Sequence, residues 1–118
     1  MKLEVGMYCR YKNFQNKVKI AKIQRIQKAD EGFIYDYMVF DNDDGELETN
    51  IIKASFNIID ILEVGDYVNG YYVEDILKTF INVATGNNYF QNPTIYEQDI
   101  KSIVTKEEFE QISYKVGE

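Results

Sequence analysis

Histidine and tryptophan are absent from this 118-residue chain, and cysteine and proline occur once each. Without histidine, Ser-His-Asp and Cys-His catalysis and every His-ligated metal are excluded, which leaves carboxylate, Lys or Tyr chemistry as the enzymatic routes. The single Cys9 forms no internal disulfide and supports no cysteine-rich zinc site. Long apolar runs are missing as well. The opening MKLEVGMYCRYK lacks the hydrophobic stretch of a secretory signal, so a cytoplasmic protein with no membrane association is expected. Leu and Ala are scarce, 8 together against 24 for Ile plus Val, and β-branched residues favour strands. The expected fold class is therefore mainly β.

What is abundant points to a source and to a charge pattern. Ile, Lys, Asn and Tyr have AT-rich codons, and their high usage suits a low-GC bacterium or a phage growing in one. Net charge is −7, but residues 10–28 carry seven bases (Arg10, Lys12, Lys17, Lys19, Lys22, Arg25, Lys28) and no acid. The other 99 residues then hold six bases against twenty acids, a balance of −14. An acidic protein repels nucleic acid at long range, so any nucleic-acid role rests on that one segment.

The chain begins twice. LEVGMYCR at residues 3–10 returns as LEVGDYVNG at 62–70, and both stretches are expected to be opening strands. Phe33, Tyr35, Tyr37 and Val39 alternate with Ile34, Asp36, Met38 and Phe40, as in a strand covered on both faces. Asp44-Gly45 is expected to supply the positive-φ pair of a tight hairpin, with ELETNII as the return strand. Ile20, Ile23 and Ile26 recur every three residues, which suits a helix as well as a bulged strand. The repeat favours the extended reading, because its counterpart YYVEDIL is short and β-rich.

Ile52-Lys53-Ala54-Ser55 and Ile100-Lys101-Ser102 align as matching closing steps. Thr105-x-x-Glu108 has capping-box spacing and predicts a short helical turn through Ile112. The predicted architecture is thus two tandem SH3-like small-barrel halves, 1–61 and 62–118, sharing an interface.

NIIDILEVGDYVNGYYV with the closing DIKSIVTKEEFEQISYKV resembles a group of uncharacterised small proteins encoded by phages and prophages of low-GC Gram-positive bacteria. The resemblance runs from VGMYCRYK to the final YKV. It implies a phage origin and action in the host bacterial cytoplasm, brings no catalytic residue, and makes 33–50 and 80–96 the variable segments.

Candidate sites follow from charge and aromatic content. DNDDGELE invites a calcium-loop reading, but Gly45 falls at position five and Ile52 stands where the bidentate Glu belongs, so no metal and no cofactor are expected. Asp41, Asp43, Asp44, Glu46 and Glu48 place five carboxylates in eight residues, a density suited to a partner's basic surface or to a solvated turn. The seven bases of 10–28, with Tyr11 and Phe14 among them, suit a backbone-tracking groove or the wet face of a strand. Tyr71-Tyr72 and Tyr89-Phe90 suit either interface anchors or core and rim, with core and rim the favoured reading, and Cys9, aligned with Val68, reads as a small buried apolar residue.

The expected function is a non-enzymatic, phage-encoded protein-interaction module. It would act as an acidic inhibitor of a host nucleic-acid-binding or defence protein, such as a CRISPR effector. The alternative is a nucleic-acid-associated small-barrel accessory protein working through residues 10–28, and a carboxylate-based hydrolase ranks last.

Overall fold

The computed structural model describes residues 2–32, 34–84 and 93–112. Contacts divide the chain into two compact units, Met1–Ile61 and Leu62–Glu118. The first contains β1 (Tyr8–Lys12), β2 (Val18–Gln27), β3 (Tyr37–Phe40), β4 (Gly45–Leu47), a 3-10 turn (Glu48–Asn50), β5 (Ile51–Ser55) and a second 3-10 turn (Ile58–Ile61). The second contains β6 (Tyr67–Val68), β7 (Tyr71–Ile76), β8 (Phe80–Ala84), β9 (Thr94–Tyr96), a 3-10 turn (Glu97–Asp99), β10 (Ile103–Val104) and α1 (Lys106–Ile112). The chain is mainly β with one short C-terminal helix. Its sheets are antiparallel and five-stranded, in the orders β4-β3-β2-β1-β5 and β9-β8-β7-β6-β10. The two orders are the same when β1 is matched with β6, β2 with β7 and so on. Neither sheet closes among the described residues, since β4 and β5 edge one and β9 and β10 the other.

The doubled LEVG is a turn, where strands were expected from residues 3 and 62. Met7 N–H donates to Glu4 O at 3.2 Å and Asp66 N–H to Glu63 O at 3.1 Å, closing four-residue turns whose third positions are Gly6 (φ +96°) and Gly65 (φ +100°). Positive φ at that position defines a type II turn and favours glycine. The next bonds repeat too: Ile23 N–H donates to Met7 O and Val73 N–H to Asp66 O, each at 2.8 Å. These place Cys9 opposite Val68 in the repeat, and both are fully buried.

Segment 18–27 is a strand, and a bulge accounts for its three-residue period. Ile23 pairs with Phe40 and Arg25 with Val39, so Gln24 is the extra residue. Ile26 therefore faces the core three residues after Ile23, where a regular strand would need a spacing of two or four. The second unit does the same, with Val73 paired to Val83, Asp75 to Asn82 and Glu74 left over. The first core gathers Cys9, Tyr11, Ala21, Ile23, Met38, Phe40 and Ile51. Tyr11 and Phe40 pack ring to ring at 4.3 Å between centroids.

Three local expectations are corrected. Asp44-Gly45 is not the hairpin turn: Phe40 O accepts from Asp43 N–H at 3.1 Å and Asp43 has φ +66°, which makes a three-residue loop over 41–43. Gly45 instead lets the Tyr37 ring lie against the backbone of β4, and a Cβ there would displace that ring and hydroxyl. The Asn-Gly hairpin belongs to the second unit, at Asn69 (φ +53°) and Gly70 (φ +85°) between paired Val68 and Tyr71.

β3 begins at Tyr37 rather than near 33, because Asp36 closes the loop before it: its carboxylate accepts from Ala29 N–H at 2.8 Å and Lys28 Nζ at 3.3 Å. Phe33 lies outside the described residues. The Ile-Lys step is off by one, since Ile51 and Ile100 are the residues that close the two equivalent 3-10 turns.

The helix starts where the capping box requires. Glu108 N–H donates to Thr105 Oγ1 at 3.1 Å while the Glu108 carboxylate accepts from Thr105 N–H at 3.4 Å. Buried Asp66 accepts from Lys106 N–H at 3.0 Å, tying the helix start to the turn before β6.

Candidate functional site

The acidic hairpin and the β1–β2 hairpin reach the same end of the first unit. Successive antiparallel strands put the tips of β1–β2 and β3–β4 side by side and the 28–36 loop at the opposite end. Asn13 shapes the first tip: its side-chain oxygen accepts from Gln15 and Lys17 N–H, both at 3.0 Å, and Asn16 takes φ +66°. The turn leaves Phe14 pointing into water, 89% exposed. Between the tips lies a cleft of about 470 Å³ lined by Phe14, Lys19, Tyr37, Asp43, Asp44 and Glu46 among others.

The five predicted carboxylates occupy different environments. Asp41 and Asp43 are exposed, and Asp41 Oδ1 accepts from Lys22 N–H at 3.2 Å. Asp44 is partly buried and accepts from the buried Tyr11 hydroxyl at 3.0 Å, which also receives Asn42 Nδ2 at 3.0 Å. Burial is the main cause that pushes the Tyr11 phenol well above its ordinary pKa, with Asp44 adding to it. Glu46 is buried and accepts from Asn50 Nδ2 at 2.7 Å. Glu48 is half-buried at the start of the 3-10 turn, beside a second cavity of about 470 Å³ lined by Lys2, Leu3, Lys28 and Asp36. Asp43, Asp44 and Glu46 thus share one cleft, and Asp44 and Glu46 also hold the fold.

The basic segment does not form one surface. Arg10 is 1% exposed, on the face of β1 opposite Cys9 and Tyr11, where its Nη1 donates to Ile61 O at 3.4 Å. Lys22 Nζ lies 5.5 Å from the centre of the Tyr8 ring. Lys28 is ion-paired with Asp36 at 3.3 Å, and Asp36 is held below the ordinary carboxylate range chiefly by the Ala29 N–H and then by Lys28. Lys19 enters the acidic cleft, while Lys12, Lys17 and Arg25 are exposed. Charges of both signs are therefore interleaved on the first unit.

Composition did not reveal the groove of about 260 Å³ lined by Gln27, Lys28, Ala29, Asp30, Tyr35, Tyr37 and Leu47. Tyr35, Tyr37 and Leu47 are 43%, 41% and 43% exposed, and the Tyr37–Leu47 pairing joins them across β3 and β4. In the second unit, Tyr71 and Tyr72 are also partly exposed; Tyr72 meets Tyr67 edge to face, and Tyr67 stacks on Phe109 at 4.0 Å. Tyr89 and Phe90 lie outside the described residues. Among the described residues no helix is long and apolar enough to cross a membrane. No family model, no curated protein and no solved structure matches the chain.

Proposed function

We propose that this chain is a non-enzymatic, phage-encoded protein-interaction module of the host cytoplasm. It acts as an acidic inhibitor of a host nucleic-acid-binding or defence protein, such as a CRISPR effector, and engages that protein's basic surface. The observation that carries the reading is the gathering of Asp43, Asp44 and Glu46 around one cleft beside the exposed Phe14 ring. Three carboxylates against the single ammonium of Lys19 give the cleft an anionic field that attracts Arg and Lys. Phe14 adds apolar surface beside it. Neither unit needs to close fully for this role: each is read as an SH3-like small barrel, two in tandem, on the strength of the shared strand order and the 3-10 turn before each last strand.

The nucleic-acid alternative is disfavoured by the fate of its residues. Arg10 is buried, Lys28 is paired and Lys19 faces carboxylates, so a continuous phosphate-tracking stripe is broken. The test is capture by the immobilised full chain from lysate of a low-GC Gram-positive host, with and without nuclease. A protein retained after nuclease treatment is expected. Loss of all retained material on nuclease treatment would overturn the reading in favour of nucleic acid.

A further inference from the structure

Among the described residues β4 is an edge strand of its sheet, and its alternation can be read from two bonds. Phe40 N–H donates to Asp44 O and Glu48 N–H to Asp36 O, both at 2.9 Å, which makes 40/44, 38/46 and 36/48 the hydrogen-bonded pairs of the β3–β4 ladder. Gly45 and Leu47 are the non-bonded partners of Val39 and Tyr37, so their N–H and C=O groups point away from β3. Among the described residues no strand pairs with β4 on that side. Both the acidic cleft and the apolar groove touch this edge, the first at Gly45 and Glu46 and the second at Leu47, and they share Tyr37.

We infer that the β4 edge accepts an extended segment of the partner as an added antiparallel strand, with basic and apolar side chains alternating along it. The inference rests on the reading of this end as the partner-binding end, and it specifies how the partner is held. Main-chain bonds form to Gly45 and Leu47. Residues opposite Gly45 and Leu47 project to the face of Tyr35, Tyr37 and Leu47, whose groove takes aliphatic side chains. Residues opposite Asp44, Glu46 and Glu48 meet carboxylates and are therefore Lys or Arg.

The same charges select against a second copy. Two β4 strands paired antiparallel about Glu46 would set Glu46 against Glu46 and Asp44 against Glu48, and like charges directly opposite destabilise a ladder. The edge thus refuses its own kind and receives a cationic strand.

The probe is a synthetic peptide with the core Arg-Val-Arg-Val-Arg, compared with the same peptide N-methylated at both valines. Methylation keeps every charge but removes the N–H groups that face Gly45 and Leu47, and it leaves the protein unaltered. Anisotropy with the full chain should give binding that weakens from about 50 to 200 mM salt and falls at least tenfold on methylation. Amide exchange should slow at Gly45 and Leu47 when the unmethylated peptide is bound. Equal affinity for the two peptides would overturn strand addition while leaving charge-based capture standing. Failure of both peptides to bind would overturn the capture reading as well. A peptide-free dimer with Gly45 and Leu47 already protected would make a second copy the occupant and overturn the inference.

Discussion

Two buried ionisable side chains make the first unit sensitive to alkali. Burial pushes the Cys9 thiol from 9.0 up to about 12, and the Tyr11 phenol is raised as well, mainly by burial. Both groups are neutral when protonated, so a raised folded value means the native state resists losing the proton. The Cys9 contribution is complete below the ordinary thiol value and is lost as pH climbs from 9.0 towards 12, while the Tyr11 contribution begins to be lost only above the ordinary phenol value of 10.0. Urea melts across pH 7 to 11 should be flat on this account at first, then lose about 1.4 kcal/mol per pH unit for each such proton. A thiol reagent at pH 8 should leave Cys9 unmodified until the chain unfolds. Tyr11→Phe removes the hydroxyl that joins Asn42 to Asp44 and should cost ~1 kcal/mol in a denaturant melt, with a larger loss if Asp44 stays dry. The sequence marked Cys9 as buried through its alignment with Val68. It did not mark Asp44 or Glu46 as structural, because their partners Tyr11 and Asn50 are joined to them by the tertiary fold and by the 3-10 turn, not by the acidic run.

Elements repeat in this chain more faithfully than residues do. The type II turn, the bulged second strand and the 3-10 turn before the last strand recur, while identity beyond LEVG is scattered, at pairs such as Tyr8 and Tyr67, Ile26 and Ile76, and Ile51 and Ile100. Gly6→Ala and Gly65→Ala should each cost about 1 kcal/mol or more, since both glycines hold φ near +100°, and the losses should be similar if the two turns do the same work. Deleting Gln24 should remove the bulge yet keep the core side chains in register, because Ile26 then stands two residues after Ile23; a far-ultraviolet melt of this variant should stay cooperative, whereas deleting Gln24 and Arg25 together would put Ile26 one residue after Ile23, on the wrong face, and should cost a large loss of cooperativity. Thr105→Ala should fray α1 at a cost of ~1 kcal/mol. The capping box was legible because its residues are three apart in sequence. The hairpin turns were half legible: Asp44-Gly45 and Asn69-Gly70 have equal local promise, but Gly45 is paired with Val39 inside the β3–β4 ladder, while Asn69-Gly70 lies between the paired Val68 and Tyr71.

At the scale of the whole chain, composition announced a β protein without histidine chemistry, and linear charge counting suggested a basic arm apart from an acidic loop. Folding mixes them. Strands β2 and β3 are neighbours, so Lys19 and Lys22 come beside Asp41, Asp43 and Asp44, and neither charge block survives as a separate surface. What remains is an acid-rich cleft with an exposed aromatic and a free strand edge, features set by tertiary proximity that composition could not announce.

The central claim is that solvent-facing carboxylates of this end attract a basic partner. Asp44 and Glu46 are unsuitable for testing it, since each also bonds within the fold. Asp41→Asn and Asp43→Asn together remove two exposed charges while leaving each side chain an amide oxygen, which at position 41 still accepts from Lys22 N–H, and exposed charges of this kind are worth no more than about 1 kcal/mol each to folding. The direct measurement is capture of the nuclease-resistant partner by wild type and by this double variant at about 50 and 200 mM salt, with melting temperatures taken alongside. The account predicts unchanged melting and capture weakened several-fold at low salt, with the difference shrinking at high salt. Full capture by the double variant at low salt would contradict it.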